Sequence, residues 1–355
     1  MKQPTKTHLI LFSLIVIGTI IRLYNLGFQD TNWDERFTME FAGLSFSFAQ
    51  VFINSLTIDF TPPLYYLAAH LSMIIFGQNP WAIRIPSLIF GVLLIPVMFL
   101  IGKEYKDELF GLLLAGITTI FYNIYFYSKY GRSYAMGLVW FALAFYFFMR
   151  LIKGDKHSGI YFGFFAVLSI WTHLYSAIPL GIMVLYLLWE RRALDGILLM
   201  VIGCLPLLNY INVILVQRCI GGGTCMWAIT NSFGATPWQI FFLTPLDMFG
   251  YSVFVILPVI IWTIWKHRDE KIITIVATIS LVTWGSMFVL AFKTPMVLHY
   301  ALFLVPMLLM VFILPFYKSV YSGWKIPYIF VAIMVLVMEC YQLYLINFIQ
   351  RGGTF

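Results

Sequence analysis

The feature that most restricts this chain is the recurrence of apolar blocks of about 18–22 residues, long enough for a helix to cross roughly 30 Å of hydrocarbon. They fall at 9–27, 85–102, 109–128, 134–152, 160–177, 196–216, 249–265, 272–292, 299–317 and 326–347, with a shorter one at 178–190. With 61% hydrophobic and 10% charged residues and a mean hydropathy of +0.90, a water-soluble core could not hide so much apolar surface. The blocks lack the alternation of barrel strands. The chain therefore reads as an all-α polytopic membrane protein with about eleven transmembrane helices, in a single membrane domain over 1–355. The first block follows Lys2, Lys6 and His8 as a signal peptide does. It carries Arg22 and has no small-residue cleavage site, so it is expected to stay as a helix.

The formal charge of +7 is spread in short pairs between blocks, which speaks for membrane topology and against nucleic acid. Four scattered cysteines make neither a disulfide scaffold nor a zinc site. Cys219 and Cys225 flank one loop, and form a local disulfide or remain two thiols according to its side.

Residues 62–77 are the ambiguous segment. Thr61 reads as an N-cap with Pro62 at the first helical position, and Gly77 ends the helix. About fifteen residues are short for a crossing. If the segment does not cross, fourteen of the 22 Lys and Arg lie on the cytoplasmic side; if it crosses, the bias inverts. A helix lying along the outer interface is preferred. The N-terminus is then cytoplasmic, in a protein of the cell membrane. Residues 28–84 become a first extracytoplasmic loop with two interfacial helices, and 217–248 a second such loop. Phe37, Phe41, Leu44 and Phe48 would form the apolar face of the first interfacial helix.

That loop opens with Asn32-Trp33-Asp34-Glu35-Arg36, and adjacent carboxylates at a membrane boundary need a reason. One reason is structural: Asn32 and Glu35 have capping-box spacing, for a helix running to about Gln50. This explains Glu35 well and Asp34 only as a partner of the helix dipole. The other reason is chemical, with Asp34 a base. On the same side lie Arg84, Lys129, Tyr130, Arg132, His173, Tyr175, Lys293, His299 and Tyr300. Cations there run against the positive-inside tendency and call for an anion, most naturally a lipid-borne phosphate. Bland readings stand beside this one. Arg84 and Arg132 can snorkel, His173 can be a hydrogen-bonded core residue, and most aromatics can be membrane belt. Asp247 reads rather as a helix cap, and Glu339, inside the last span, as neutral or paired. No HExxH, paired CxxC, GxxxxGK[ST] or GxGxxG stands in a supporting context, so zinc hydrolases, nucleotide-driven pumps and dinucleotide enzymes have no positive signal.

Five stretches, in order through about residue 180, resemble one family. Trp33-Asp34-Glu35 resembles the acidic motif of GT-C glycosyltransferases. Asp59-Phe60-Thr61-Pro62-Pro63-Leu64-Tyr65-Tyr66 is similar to their His-Pro-Pro-Leu-Tyr-Tyr helix, with Thr61 in place of the His. Trp81-Ala82-Ile83-Arg84-Ile85-Pro86-Ser87, closed by Gly91, resembles Phe-Ala-x-Arg-x-Pro-Ser-x-x-x-Gly. Tyr127-Ser128-Lys129-Tyr130-Gly131-Arg132-Ser133-Tyr134 resembles Tyr-Ser-Gln-Glu-Ala-Arg-x-Tyr, with Tyr130 in place of the Glu, and Thr172-His173 matches a Thr-His. The branch is that of protein O-mannosyltransferases and lipid A aminoarabinose transferases. The resemblance implies transfer of a sugar from a polyprenyl-phosphate donor to an acceptor hydroxyl of a protein, lipid or glycan on the extracytoplasmic face.

Asp34 would then be the catalytic base, with Glu35 orienting it or capping its helix. Arg84, Lys129, Arg132, Lys293, His299 and Tyr300 would line the donor phosphate. Asp59, Tyr65, Tyr130 and His173 would line the acceptor or sugar pocket. No cofactor is expected, and a divalent metal is left open. The rivals are a transporter or flippase of an anionic lipid or lipid-linked sugar, and an inactive relative that binds such a lipid. A transporter should show matched halves with broken helices at mid-membrane; the sequence shows no such halves.

Overall fold

The computed structural model describes residues 6–27, 31–57, 61–212, 235–292, 296–321 and 326–350. Helix follows helix: α1 Lys6–Leu23, α2 Trp33–Phe41, α3 Phe48–Thr57, α4 Leu64–Phe76, α5 Pro80–Tyr105, α6 Glu108–Ile120, α7 Tyr122–Ser128, α8 Tyr134–Ile152 and α9 Ser158–Thr172. Then come α10 Ala177–Trp189, α11 Leu194–Asn212, α12 Pro237–Phe249, α13 Val253–Lys266, α14 Lys271–Leu290, α15 Val305–Tyr321 and α16 Ile326–Gln350.

Among the described residues, seven helical segments are long and apolar enough to cross a membrane, or eight if the bent pair α6–α7 is one span. The spans expected at 160–177, 178–190 and 196–216 fall on shorter apolar helices, so length and composition support seven or eight crossings rather than a count of eleven. Cys219, Cys225 and most of the second expected loop lie outside the described residues.

Between α1 and α5 the chain makes three short helices where two were expected. The helix expected to reach Gln50 stops at Phe41; Ala42 caps it, and α3 starts afresh at Phe48. Helix α4 begins at Leu64 without a side-chain cap, so Thr61 is not its N-cap. Its end at Gly77, with φ of 82°, is as the sequence indicates.

Helix α5 is the axis on which the site is built. Asn79 caps it by accepting from the Ala82 amide, and Pro80 occupies its first turn. It is buried over most of its length and packs on α4, α6 and α8. Twenty-six residues at about 1.5 Å each separate its two ends by roughly 39 Å. Arg84 lies near one end and Lys103 near the other.

The apolar block 109–128 gave no sign of a break, yet α6 and α7 meet at 60° around Phe121. Breaking a helix inside a bilayer frees carbonyls on one side and amides on the other, and each needs a partner. Arg22 of α1, fully buried, supplies the first. Its guanidinium donates to the Thr119 carbonyl at 2.9 Å, the Thr118 carbonyl at 3.3 Å and Ser128 Oγ at 3.1 Å. Glu339 of α16, also fully buried, supplies the second by accepting from the Tyr122 amide at 2.6 Å. Ser252 Oγ donates to the other Glu339 oxygen at 2.5 Å. A cation thus meets the negative end of α6 and a carboxylate the positive end of α7. Replacing Arg22 with Leu should strand the Thr118 and Thr119 carbonyls, at about 1–3 kcal/mol for each buried unsatisfied group. The expected result is a marked drop in the unfolding midpoint of detergent-solubilised protein, partly restored in Arg22→Lys.

Candidate active site

The site forms where α2 lies across the first turns of α5 and against the turn between α7 and α8. Asn32 and Glu35 close the capping box read from the sequence: the Glu35 amide donates to Asn32 Oδ1 at 3.0 Å, and the Asn32 amide to Glu35 Oε2 at 3.3 Å. Glu35 does more than cap. Arg84 Nε and Nη2 each donate to one of its oxygens at 2.7 Å, a two-pronged pair in which both side chains are buried. The Gly131 amide adds a bond to Glu35 Oε1 at 2.7 Å. One carboxylate therefore ties α2, α5 and the 129–133 turn together.

The turn is held from two further sides. Thr38 Oγ1 donates to the Gly131 carbonyl at 2.9 Å, and Ser87 Oγ donates to the Tyr130 carbonyl at 2.6 Å. Tyr65, fully buried, donates to the Ile83 carbonyl at 2.7 Å and lies 2.8 Å from Ser87 Oγ. A Cβ at Gly131 would stand 2.8 Å from Ile83 Cδ1 and 3.0 Å from Glu35 Oε1, so a larger residue there would press on both side chains.

Asp34 is placed differently from its neighbour. It is half-buried, and Oδ2 accepts from the Tyr130 hydroxyl at 3.0 Å. It has no ion pair among the described residues. Arg132 reaches its main-chain carbonyl at 3.5 Å and donates to Tyr66 Oη at 2.7 Å. Lys129, buried, donates to the Tyr24 carbonyl at 2.7 Å and to Tyr125 Oη at 3.0 Å. Burial, and then the Arg84 charge, pull the Lys129 ammonium down to about 8. Burial and the Asp34 carboxylate push the Tyr130 phenol up, so it stays a proton donor. A cavity of about 50 Å³ opens here, lined among others by Asn25, Asn32, Glu35, Arg84, Lys129 and Tyr130.

On the far side of Tyr130 stands an aromatic wall. Tyr134 Oη lies 2.8 Å from His299 Nε2, Tyr175 stacks on Tyr300 at 3.8 Å, and His173 packs against Tyr134 and Tyr300 at 5.1 and 5.6 Å. His173 is buried, and its Nδ1 has no hydrogen-bond partner among the described residues.

Asp34, Glu35, Arg84, Lys129, Tyr130 and Arg132 are thus drawn together, with His173, His299 and Tyr300 grouped beside them. Two expectations change. Arg84 meets the Glu35 carboxylate where a phosphate was expected, because Glu35 is the buried anion nearest its fork. Tyr65 braces the backbone below the site and does not line it, being enclosed by Ile83 and Ser87. Asp59 and Lys293 lie outside the described residues. Sequence reasoning gave no role to Tyr134 or to the braces Thr38, Tyr66 and Ser87. The signal available was their place inside or beside the quoted motifs. No group of three or more His, Cys, Asp or Glu that could hold a metal occurs among the described residues.

Residues 61–215 match the family model described as dolichyl-phosphate-mannose-protein mannosyltransferase. The fold is similar to that of ArnT from Cupriavidus metallidurans in the apo state, with a TM-score of 0.61 at 14% identity. That superposition covers 85% of this chain and 58% of ArnT, so this chain spans little more than half the length of that protein. The structure of the same protein bound to undecaprenyl phosphate gives a TM-score of 0.60 at 14% identity, covering 96% of this chain and 72% of that one. No curated protein matches by sequence. The family match covers less than half of the chain, and the fold is that of the ArnT structures.

Breaking the buried pair from one side, with Glu35→Gln or Arg84→Met, should cost about 3–5 kcal/mol because a charge is left without its partner. The double substitution should cost less than the two single losses added. Chemical or thermal unfolding of the three variants in detergent measures the difference.

Proposed function

We propose that the protein transfers a sugar from a polyprenyl-phosphate carrier to an acceptor hydroxyl, with Asp34 as the base. The observation that carries this reading is the division of labour between adjacent carboxylates. Glu35 is committed to Arg84 and the backbone, whereas Asp34 has only the Tyr130 hydroxyl as a partner among the described residues. The family model and the undecaprenyl phosphate bound to ArnT support the donor class.

In this scheme Asp34 takes the proton of the acceptor hydroxyl as its oxygen bonds to the anomeric carbon. The bond from that carbon to the phosphate oxygen breaks, and the polyprenyl phosphate leaves with the electron pair. Lys129 and Arg132 face the growing phosphate charge, and positioned donors of this kind are each worth about 3–4 kcal/mol. His299 and Tyr300 complete the donor side. Arg84 acts through Glu35 as a positioning residue. Tyr130 stands between the two halves, lining the cavity and meeting Asp34 by its hydroxyl. The wall of Tyr134, His173, Tyr175 and Tyr300 offers flat apolar faces to the sugar or acceptor, with the His173 Nδ1 unpartnered among the described residues. The site faces the extracytoplasmic side, as the charge bias of the loops favours.

Purified protein incubated with radiolabelled polyprenyl-phosphate sugars and membranes should move label to a protein, lipid or glycan. Vesicle flipping without transfer would instead establish the transporter reading. Asp34→Asn should fold and insert normally yet lose about 10²–10⁴-fold in transfer; an active Asn variant would remove Asp34 from the base role. Lys129 is charged below its pKa, so transfer should fall as the pH rises through about 8. Lys129→Arg, which keeps its charge, should lose that alkaline fall.

A further inference from the structure

At the opposite end of α5 the bundle closes with ion pairs. Glu270 accepts from Lys106 at 2.9 Å, Lys318 at 3.0 Å and Tyr105 at 2.8 Å, joining α5, α15 and the loop before α14. Lys271 pairs with Glu190 at 3.2 Å. Lys266, exposed at the end of α13, has no carboxylate partner among the described residues, nor has exposed Arg268. The Lys266 ammonium instead lies 4.6 Å from the ring centroid of Trp262.

Trp262 is also the wall of an apolar groove of about 230 Å³, lined by Val259, Trp262, Pro315, Phe316, Tyr328 and Val331 from α13, α15 and α16. Pro258 and Pro315 sit inside α13 and α15. A proline within a helix bends it, which parts neighbouring helices locally. The surface around the groove carries Ile261, Trp265, Ile329 and Phe330, all more than half exposed. Trp262, Trp265 and Tyr328 mark the depth of a membrane interface. An oily slot thus ends in cations that have no carboxylate partner among the described residues.

We infer that this groove binds one acyl chain of an anionic glycerophospholipid, with Lys266 on its phosphate and Arg268 beside it. A zwitterionic lipid would fill the slot and offer the same phosphate, but its own quaternary ammonium would offset that charge, so the net charge of the headgroup sets the preference. The site lies toward the Tyr105 end of α5, opposite the Arg84 end and in the other leaflet, and does not depend on the transfer chemistry.

Native mass spectrometry of the purified chain with equal phosphatidylglycerol and phosphatidylcholine tests the assignment. The wild-type protein should retain phosphatidylglycerol with about fivefold preference, the size of one lysine–anionic lipid contact. Val331→Trp, which fills the groove, should retain one lipid fewer per chain. Lys266→Gln should keep the lipid count and lose the preference. Equal retention of the two lipids by wild-type protein would overturn the proposal, as would an unchanged count in Val331→Trp. A dimer that dissociates in Val331→Trp would overturn it too, by making the groove a contact between copies of this chain. Should Val331→Trp fail to purify, Lys266→Gln decides alone, because the residue is exposed and an unchanged preference excludes its role.

Discussion

The buried pair of Glu35 and Arg84 is the interaction on which the polar end of the molecule depends. Two charges taken out of water are costly, and their attraction compensates only when geometry is good and remaining lone pairs are filled. Here both conditions hold. Arg84 uses two nitrogens on two oxygens, and the Gly131 and Asn32 amides occupy what is left of the carboxylate. Three segments far apart in sequence are thereby fixed to one point. Asp34, one residue before Glu35 on the same helix, inherits its position from that anchorage without sharing in the neutralisation. Orientation and availability are thus separated onto adjacent carboxylates.

The same rule, that buried charge sits where backbone polarity calls for it, governs the interior of the bundle. Arg22 and Glu339 would be hard to account for as isolated ions in a membrane helix. Around the bend between α6 and α7 each meets groups of opposite polarity. Gly250, with φ of 55°, leaves room for Gln342, whose oxygen accepts from the Tyr251 amide and whose amide lies near Ser252. The polar contacts of α16 are therefore concentrated where another helix starts or stops.

Much of this was legible in the chain. Apolar block length gave the helices, and the Asn32–Glu35 spacing gave a capping box that the structure contains in full. The order of five motifs gave the resemblance to GT-C glycosyltransferases. Harder to read was what links one segment to another. Arg84 and Glu35 are 49 residues apart, and nothing local tells a cation that will meet a carboxylate from one that will meet a phosphate. Residues 109–128 contain no proline or glycine near Phe121 to mark the break; its cause is distributed over Arg22 and Glu339, far away in sequence. The early stop of α2 was carried by Gly43 and Ser47, weak signals that the run of aromatics through Phe48 outweighed. Tyr65 looked like a pocket residue because its motif is; only packing shows its hydroxyl turned to Ile83.

The two residues that satisfy the bend come from opposite extremes of the chain, Arg22 from the first helix and Glu339 from the last. A polypeptide made from its N-terminus inserts α1, α6 and α7 long before α16 exists. Through most of synthesis the Tyr122 amide therefore lacks its eventual acceptor, and the bend is only half satisfied. The bend is closed on both sides only once α16 is in place, because only then does the Tyr122 amide meet the Glu339 carboxylate.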